Sequence, residues 1–211
     1  MKYKYYFFDF DYTLANSEKG IVVCFQKTVE KLNIPQKGEE EIKKTIGMPM
    51  MDAITHLTGI KNPAEQQLFL KTYKKFADEL MTPNTVFFPD TIAALEKIKA
   101  DGCTTAIIST KTRHRISEKF QLDGYSHLID LIIGSEDTTA YKPNPEGINM
   151  ALNLTHANKQ QVIYVGDSIY DAGAAQNAGI DFAGVLTGTT TAQELAAFPS
   201  VQIIHCLSEL L

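Results

Sequence analysis

Short apolar runs that fit buried strands recur along this 211-residue chain, and most are followed by a stretch of helical period. Residues 2–8 predict a first strand, rich in Tyr and Phe. Further strands are predicted over 104–108, 131–133, 161–165, 182–185 and 201–204. Helices fall between and after them, over 90–100, 112–121, 145–152, 168–178, 191–197 and 207–211. Gly102 and Gly179 stop two of them, Asn144 caps a third, and Thr191 with Glu194 forms a capping box on a fourth. Strands alternating with helices imply βαβ units and a parallel sheet.

One segment breaks the alternation. From Ser17 to Leu80 the pattern is helical throughout. Ser17 caps a helix over 19–32 that buries Ile21, Val22, Phe25, Val29 and Leu32, and Pro35 follows its end. Residues 39–44 form a short charged helix with a solvated face. Asn62, Pro63 and Glu65 mark the start of a longer one, predicted to run through Leu68, Leu70, Tyr73, Phe76 and Leu80. The expected organisation is an α/β core of residues 1–15 and 83–211, with a helical domain of residues 16–82 inserted after the first strand.

Composition narrows the function. Hydrophobic residues make up 44% and charged residues 21%, which suits a soluble globular chain. A net charge of -5 argues against a general nucleic-acid or anionic-membrane surface, so an anionic substrate needs local cations. Cys24, Cys103 and Cys206 are scattered without zinc spacing, as are His56, His127, His156 and His205. The apolar run near the start is short and stops at Asp9, unlike a signal peptide, and no run is long enough to span a membrane. A cytoplasmic protein is expected.

The chemistry gathers at the carboxyl ends of the strands, where open α/β sheets bind ligands. The first strand ends in Asp9 and Asp11, on one side if pairing continues and in one turn if it stops. The second ends in Ser109-Thr110-Lys111, where hydroxyls and helix-start amides suit either a phosphate or a simple cap. After the third, Lys142 stands beside Pro143 and near Pro145, which restrict the chain around it. The fourth ends in Gly166-Asp167, with Asp171 four residues on. Ser168 and Asp171 also fit a capping box, whereas Asp167 has no such structural use. Four acids in one cleft repel one another unless a divalent cation and Lys142 offset them. Oxygen ligands with a phosphate partner favour Mg²⁺. The Thr187-Gly188 loop lies at another strand end and could shape the rim, although leading into a capped helix suffices to explain it.

Together these residues resemble the haloacid dehalogenase superfamily, in particular its phosphatase branch. Asp9-Phe10-Asp11-Tyr12-Thr13 resembles the nucleophile motif, Ser109 the hydroxyl motif, Lys142 the lysine motif, and Gly166-Asp167 through Asp171 the metal motif. Tyr12 departs from the Gly of many relatives. The loop Thr45-Ile46-Gly47-Met48-Pro49 resembles the cap loop of phosphoglycolate phosphatases and related pyrophosphatases.

The resemblance implies a Rossmann-like three-layer sandwich with a central parallel sheet and a helical cap. It implies a Mg²⁺-dependent phosphatase of small phosphomonoesters, with 2-phosphoglycolate as a candidate. Asp9 is then the nucleophile and Asp11 the acid and base. Asp9, the backbone carbonyl of Asp11, Asp167 and Asp171 hold the metal. Ser109, Thr110, Lys111 and Lys142 contact the phosphorylated substrate, and Gly47 and Met48 read its leaving group. The expected partner is a small phosphorylated metabolite, taken by a monomer or weak dimer. A phosphosugar mutase and a pyrophosphatase share the same first half-reaction. A dehalogenase needs no Mg²⁺, and Asp11 with the Asp167/Asp171 pair argues against it. A catalytically silent phosphometabolite-binding protein predicts a missing station, and none is missing.

Overall fold

A computed structural model of the chain describes residues 2–210. The elements in order are β1 (Tyr5–Phe8), β2 (Ala15–Asn16), α1 (Glu18–Lys31), α2 (Glu39–Lys43), α3 (Met50–Thr58), α4 (Pro63–Leu80) and β3 (Val86–Phe87). There follow α5 (Thr91–Ala100), β4 (Thr104–Ile108), α6 (Arg113–Leu122), β5 (Leu131–Ile133), α7 (Glu146–Thr155) and β6 (Val162–Gly166). The chain continues through α8 (Ile169–Ala178), β7 (Asp181–Val185), α9 (Ala192–Leu195) and β8 (Gln202–Ile204). The expected last helix is a 3₁₀ turn over Leu207–Leu210, and Leu211 lies outside the described residues. No helix among the described residues is long and apolar enough to cross a membrane.

Six strands form one sheet in the order β5-β4-β1-β6-β7-β8, and every pair in it is parallel. Period two along β1 sends Tyr6 and Phe8 to one face and Tyr5 and Phe7 to the other. Tyr6 and Phe8 pack with Leu95 and Ile98 of α5 and with Ile116 and Phe120 of α6. Phe7 packs with Ile148 and Ala151 of α7, Ala172 and Ala175 of α8, and Leu195 of α9. Each buried Phe ring stabilises the fold by roughly 1.5–3 kcal/mol. The result is the parallel sheet expected from the alternating pattern and the three-layer sandwich that the resemblance implies.

Connections from β1 run toward β4, while those from β6 run toward β7. The strand order therefore reverses between β1 and β6, which opens a crevice at their carboxyl ends. Phe8 is in register with Val165, so the residues that follow both strands emerge at that crevice.

The chain separates into two compact units, Met1–Ala15 with Phe87–Leu211, and Asn16–Val86. The second has its own core of Val22, Phe25, Val29, Ile42, Ile54, Leu57, Phe69 and Tyr73. Met50 and Met51 are partly buried against it.

Some local expectations shift. Ser17 precedes α1 but does not cap it with its side chain; its Oγ accepts from Thr85 Oγ1 at 3.3 Å. Asn16 instead accepts from the Glu18 amide at 2.9 Å. In α4 the inward residue is Phe69, while Leu68 is 54% exposed, because the helical phase set by Tyr73 and Ala77 turns Leu68 outward. Asn62 caps α4 as predicted, accepting from the amides of Ala64 and Glu65. Asn144 accepts from the Glu146 amide at 3.0 Å, one residue before the cap position of α7.

Candidate active site

Ladder pairing in β1 ends at Phe8, although the Asp9 amide still donates to the Val165 carbonyl at 2.9 Å. The chain then turns sharply. The Phe10 carbonyl accepts from the amides of Thr13, Leu14 and Ala15, and Tyr12 takes a left-handed φ of 64°. That conformation is costly for a residue with a Cβ. Glycine would adopt it without that cost. The turn sends the Asp9 and Asp11 carboxylates to different partners.

Asp9 joins the buried cluster. Lys142 Nζ donates to Asp9 Oδ1 at 2.8 Å and to Asp171 Oδ1 at 2.6 Å. It also reaches the Tyr164 hydroxyl at 3.2 Å and the Ile108 carbonyl at 3.4 Å. The Tyr164 hydroxyl sits 3.1 Å from Asp171 Oδ1 and 3.0 Å from the Ile108 carbonyl. Sequence reasoning missed Tyr164. Its place inside β6, two residues before the Gly166 that precedes Asp167, was the available signal.

Asp171 closes the capping box that its position suggested and also meets Lys142. Its Oδ2 accepts from the Ser168 amide at 3.1 Å and the Ser168 hydroxyl at 2.5 Å, while Ser168 Oγ accepts from the Asp171 amide. This closes the capping box on α8. The other oxygen, Oδ1, is left for Lys142. Asp167 stands before the helix and accepts from Thr13 Oγ1 at 3.3 Å. Glycines allow the close packing. A methyl on Gly166 would overlap Asp171, and one on Gly188 would overlap the Asp167 carboxylate. Thr187, next to Gly188, donates its hydroxyl to the Tyr12 carbonyl. The Thr187-Gly188 loop therefore lies against Tyr12 and Asp167, at the rim that its strand-end position left open beside a connecting role.

Asp9, Asp167 and Asp171 each place a carboxylate oxygen within 4.8 Å of the others, and all three are buried. Three carboxylates face one ammonium, and Asp167 forms no ion pair among the described residues. Burial pushes Asp9 up to about 6 against the pull of Lys142, with Asp171 and Asp11 adding to the rise. Burial, then the charges of Asp171 and Asp9, drive Asp167 well above the usual carboxylate range. Burial alone would lower Lys142, but Asp171 and Asp9 outweigh it and hold the ammonium well above its ordinary value. A hard divalent cation with oxygen ligands fits this donor set and its uncompensated negative charge.

Asp11 is not part of that carboxylate cluster. Lys111 Nζ donates to both of its oxygens, at 2.7 and 3.0 Å. Ser109, at the end of β4, accepts from the Lys111 amide at 3.3 Å. Ser109, Thr110 and Lys142 line one small hollow of about 20 Å³. Gly47 and Met48 belong to the helical unit, in the turn between α2 and α3 where Gly47 has φ 92°.

The family model of haloacid dehalogenase-like hydrolases matches residues 6–185. Pyrophosphatase PpaX of Listeria innocua is 30% identical over 210 residues, covering 97% of this chain and 93% of its own. A crystal structure from Bacteroides fragilis, provisionally named a haloacid dehalogenase-like hydrolase, is 43% identical, with TM-score 0.96 and full coverage of both chains. A protein of Haemophilus somnus, assigned by prediction as a phosphoglycolate phosphatase, shares the fold at TM-score 0.89 and 22% identity, covering 100% of this chain and 97% of its own. Over the span that holds both the acids of the β1 turn and the Asp167/Asp171 pair, this chain belongs to the haloacid dehalogenase-like hydrolases.

Proposed function

We propose that the protein is a Mg²⁺-dependent phosphatase of small phosphorylated metabolites that works through an aspartyl-phosphate. The observation that carries this reading is Asp9, buried at the end of β1 and held by Lys142 beside Asp167 and Asp171. A carboxylate so fixed is a nucleophile with its counter-charge already in place. The metal-binding groups are Asp9, the Asp11 backbone carbonyl and Asp167, with Asp171 completing or orienting the shell. The bound cation would neutralise the carboxylates and polarise the phosphoryl oxygens.

In the first step an Asp9 oxygen attacks phosphorus. The bond to the leaving oxygen breaks with its electron pair, and Asp11 delivers a proton to that oxygen. In the second step water attacks phosphorus and gives its proton to Asp11. The bond from phosphorus to Asp9 breaks, inorganic phosphate leaves and both acids are regenerated. Lys142 steadies Asp9 and the charge on the transferring group throughout. Ser109 and Thr110 contact the phosphoryl oxygens, and Lys111 contacts the anionic substrate. We assign reading of the leaving group to Gly47 and Met48.

A second reading, with pyrophosphate as the substrate, draws support from the relative named pyrophosphatase that aligns along 97% of the chain. It keeps the same nucleophile and changes only the leaving group. Phosphate release from a panel of small esters and from pyrophosphate, with Mg²⁺ and with a chelator, tests both. Wild-type protein should release phosphate only with Mg²⁺, and Asp9→Asn should abolish release. Release that survives chelation and Asp9→Asn would defeat the mechanism. Transfer to a sugar acceptor with little free phosphate would point to a mutase. No release from any compound would leave a binding protein.

A further inference from the structure

We propose that Lys111 is a specificity residue that holds Asp11 in an ion pair until a second anionic group on the substrate takes its place. The inference rests on the phosphatase reading above and names the substrate class: phosphoric esters or anhydrides that carry a carboxylate or a further phosphate next to the leaving oxygen.

Two lysines stand at the strand ends, and they differ in how they are held. Lys142 is shared among two carboxylates, a phenol and a carbonyl, so moving it would strand several buried groups. Lys111 Nζ bonds one carboxylate, that of Asp11, with both oxygens. Its backbone is anchored, since its amide donates to Ser109 Oγ and its carbonyl accepts from the Ser135 amide at 3.1 Å. Its ammonium lies 5.6 Å from the centre of the Phe10 ring, an added attraction for a cation. The root of Lys111 is therefore tied to the corner that receives the phosphoryl group, and its tip to the acid and base of the reaction.

Both side chains are nearly enclosed, at 7% exposed for Lys111 and 11% for Asp11. Separating such a pair leaves two charges in poor solvent and is costly. A substrate with a neutral leaving group offers no compensation. One with its own negative charge gives Lys111 a new carboxylate or phosphate partner, and the freed Asp11 carboxylate takes up a proton from solvent as it turns to the leaving oxygen. The exchange is one anion for another, so the charge at Lys111 stays balanced. A charge-assisted hydrogen bond is worth about 1.5–3 kcal/mol, which corresponds to roughly ten- to a hundredfold in kcat/KM.

The test compares 2-phosphoglycolate, pyrophosphate and 2-hydroxyethyl phosphate, which present a carboxylate, a phosphate and a neutral hydroxyl. Wild-type protein should favour at least one of the two charged compounds over the neutral one by roughly tenfold or more in kcat/KM. Lys111→Met should collapse that ratio, and Lys111→Arg should restore most of it. The arm in which the ratio collapses identifies the anion. A parallel loss on all three compounds in Lys111→Met, or an unchanged ratio, would overturn the proposal. Wild-type protein that hydrolyses the neutral ester as well as both charged ones overturns it alone. Wild-type protein that releases phosphate from none of them overturns the phosphatase reading first and this one with it.

Discussion

The hydroxyl of Tyr164 lies 3.2 Å from the ammonium of Lys142, inside the sheet and at the back of the carboxylate cluster. The same hydroxyl meets Asp171 Oδ1 at 3.1 Å and the Ile108 carbonyl at 3.0 Å. Tyr164 thus fixes the lysine that holds Asp9, the proposed nucleophile. Burial drives its phenol well above the ordinary tyrosine range, opposed by Lys142, so it stays a neutral hydroxyl over the working pH range.

Tyr164→Phe should keep the fold and loosen Lys142. Hydrogen bonds to charged groups contribute about 1.5–3 kcal/mol each, and replacing the phenol leaves the ring volume in place. Expected are a loss of about 1–2 kcal/mol in urea unfolding and a fall of roughly tenfold in kcat with little change in KM. A rise in KM at unchanged kcat would place Tyr164 in substrate binding instead of in support of Lys142.

Metal-free protein should lose stability as the pH rises from about 4 to about 6. The Asp9 carboxyl is raised in the folded chain from 3.8 to about 6. Between those values the folded chain keeps a proton that the unfolded chain has released. The stabilisation is complete below the unfolded value and disappears as pH rises through the folded one. For this one carboxyl, which is 3% exposed, the change is about 3 kcal/mol. Mg²⁺ favours the ionised form, so its saturating effect on Tm should be larger at pH 7.5 than at pH 5. Scanning calorimetry at both values, with and without Mg²⁺, checks this. Equal Tm gains at the two pH values would contradict it.

Much of the site was legible because the sheet sorts it. Strand ends come together in a parallel sheet, so Asp9, Lys142, Asp167 and Asp171 could be grouped from their places after predicted strands. What escaped depends on contacts that no local pattern encodes. Asp11 is two residues from Asp9, yet the left-handed turn at Tyr12 belongs to a segment that directs it to Lys111, 100 positions away. Leu68 and Phe69 are equally apolar neighbours, and only the phase of α4 against its partners decides which is buried. The close contact at Gly188 escaped because the carboxylate it admits belongs to residue 167.

Gly188→Ala tests that last contact. A methyl there would overlap the Asp167 carboxylate, which must then move or push the loop away. Gly188 is in a loop after β7, so the fold should survive. Expected is a weakening of Mg²⁺ affinity by about ten- to a hundredfold, the usual range for disturbing groups around a metal ligand. The measurement is the Mg²⁺ concentration that half-saturates the Tm increase, which does not depend on turnover. An unchanged midpoint would show that the loop tolerates the methyl.

The turn that separates Asp9 from Asp11 offers a cleaner backbone test. Tyr12 is 4% exposed and has φ 64°, a conformation that glycine adopts freely and alanine resists. Tyr12→Gly and Tyr12→Ala remove the same aromatic ring, so the cost of lost packing is nearly common to both. Ordinarily alanine is the more stabilising residue of the two, because glycine gains more freedom on unfolding. Here the left-handed backbone reverses the order, at about 1–2 kcal/mol per residue with a Cβ. Tyr12→Gly should therefore be more stable than Tyr12→Ala by about 1 kcal/mol in urea unfolding. The alanine variant should also relax toward negative φ and disturb the geometry that carries Asp11 to Lys111. Its kcat should fall further than that of the glycine variant. Equal stability and equal kcat would mean that the turn is not set by the backbone at residue 12.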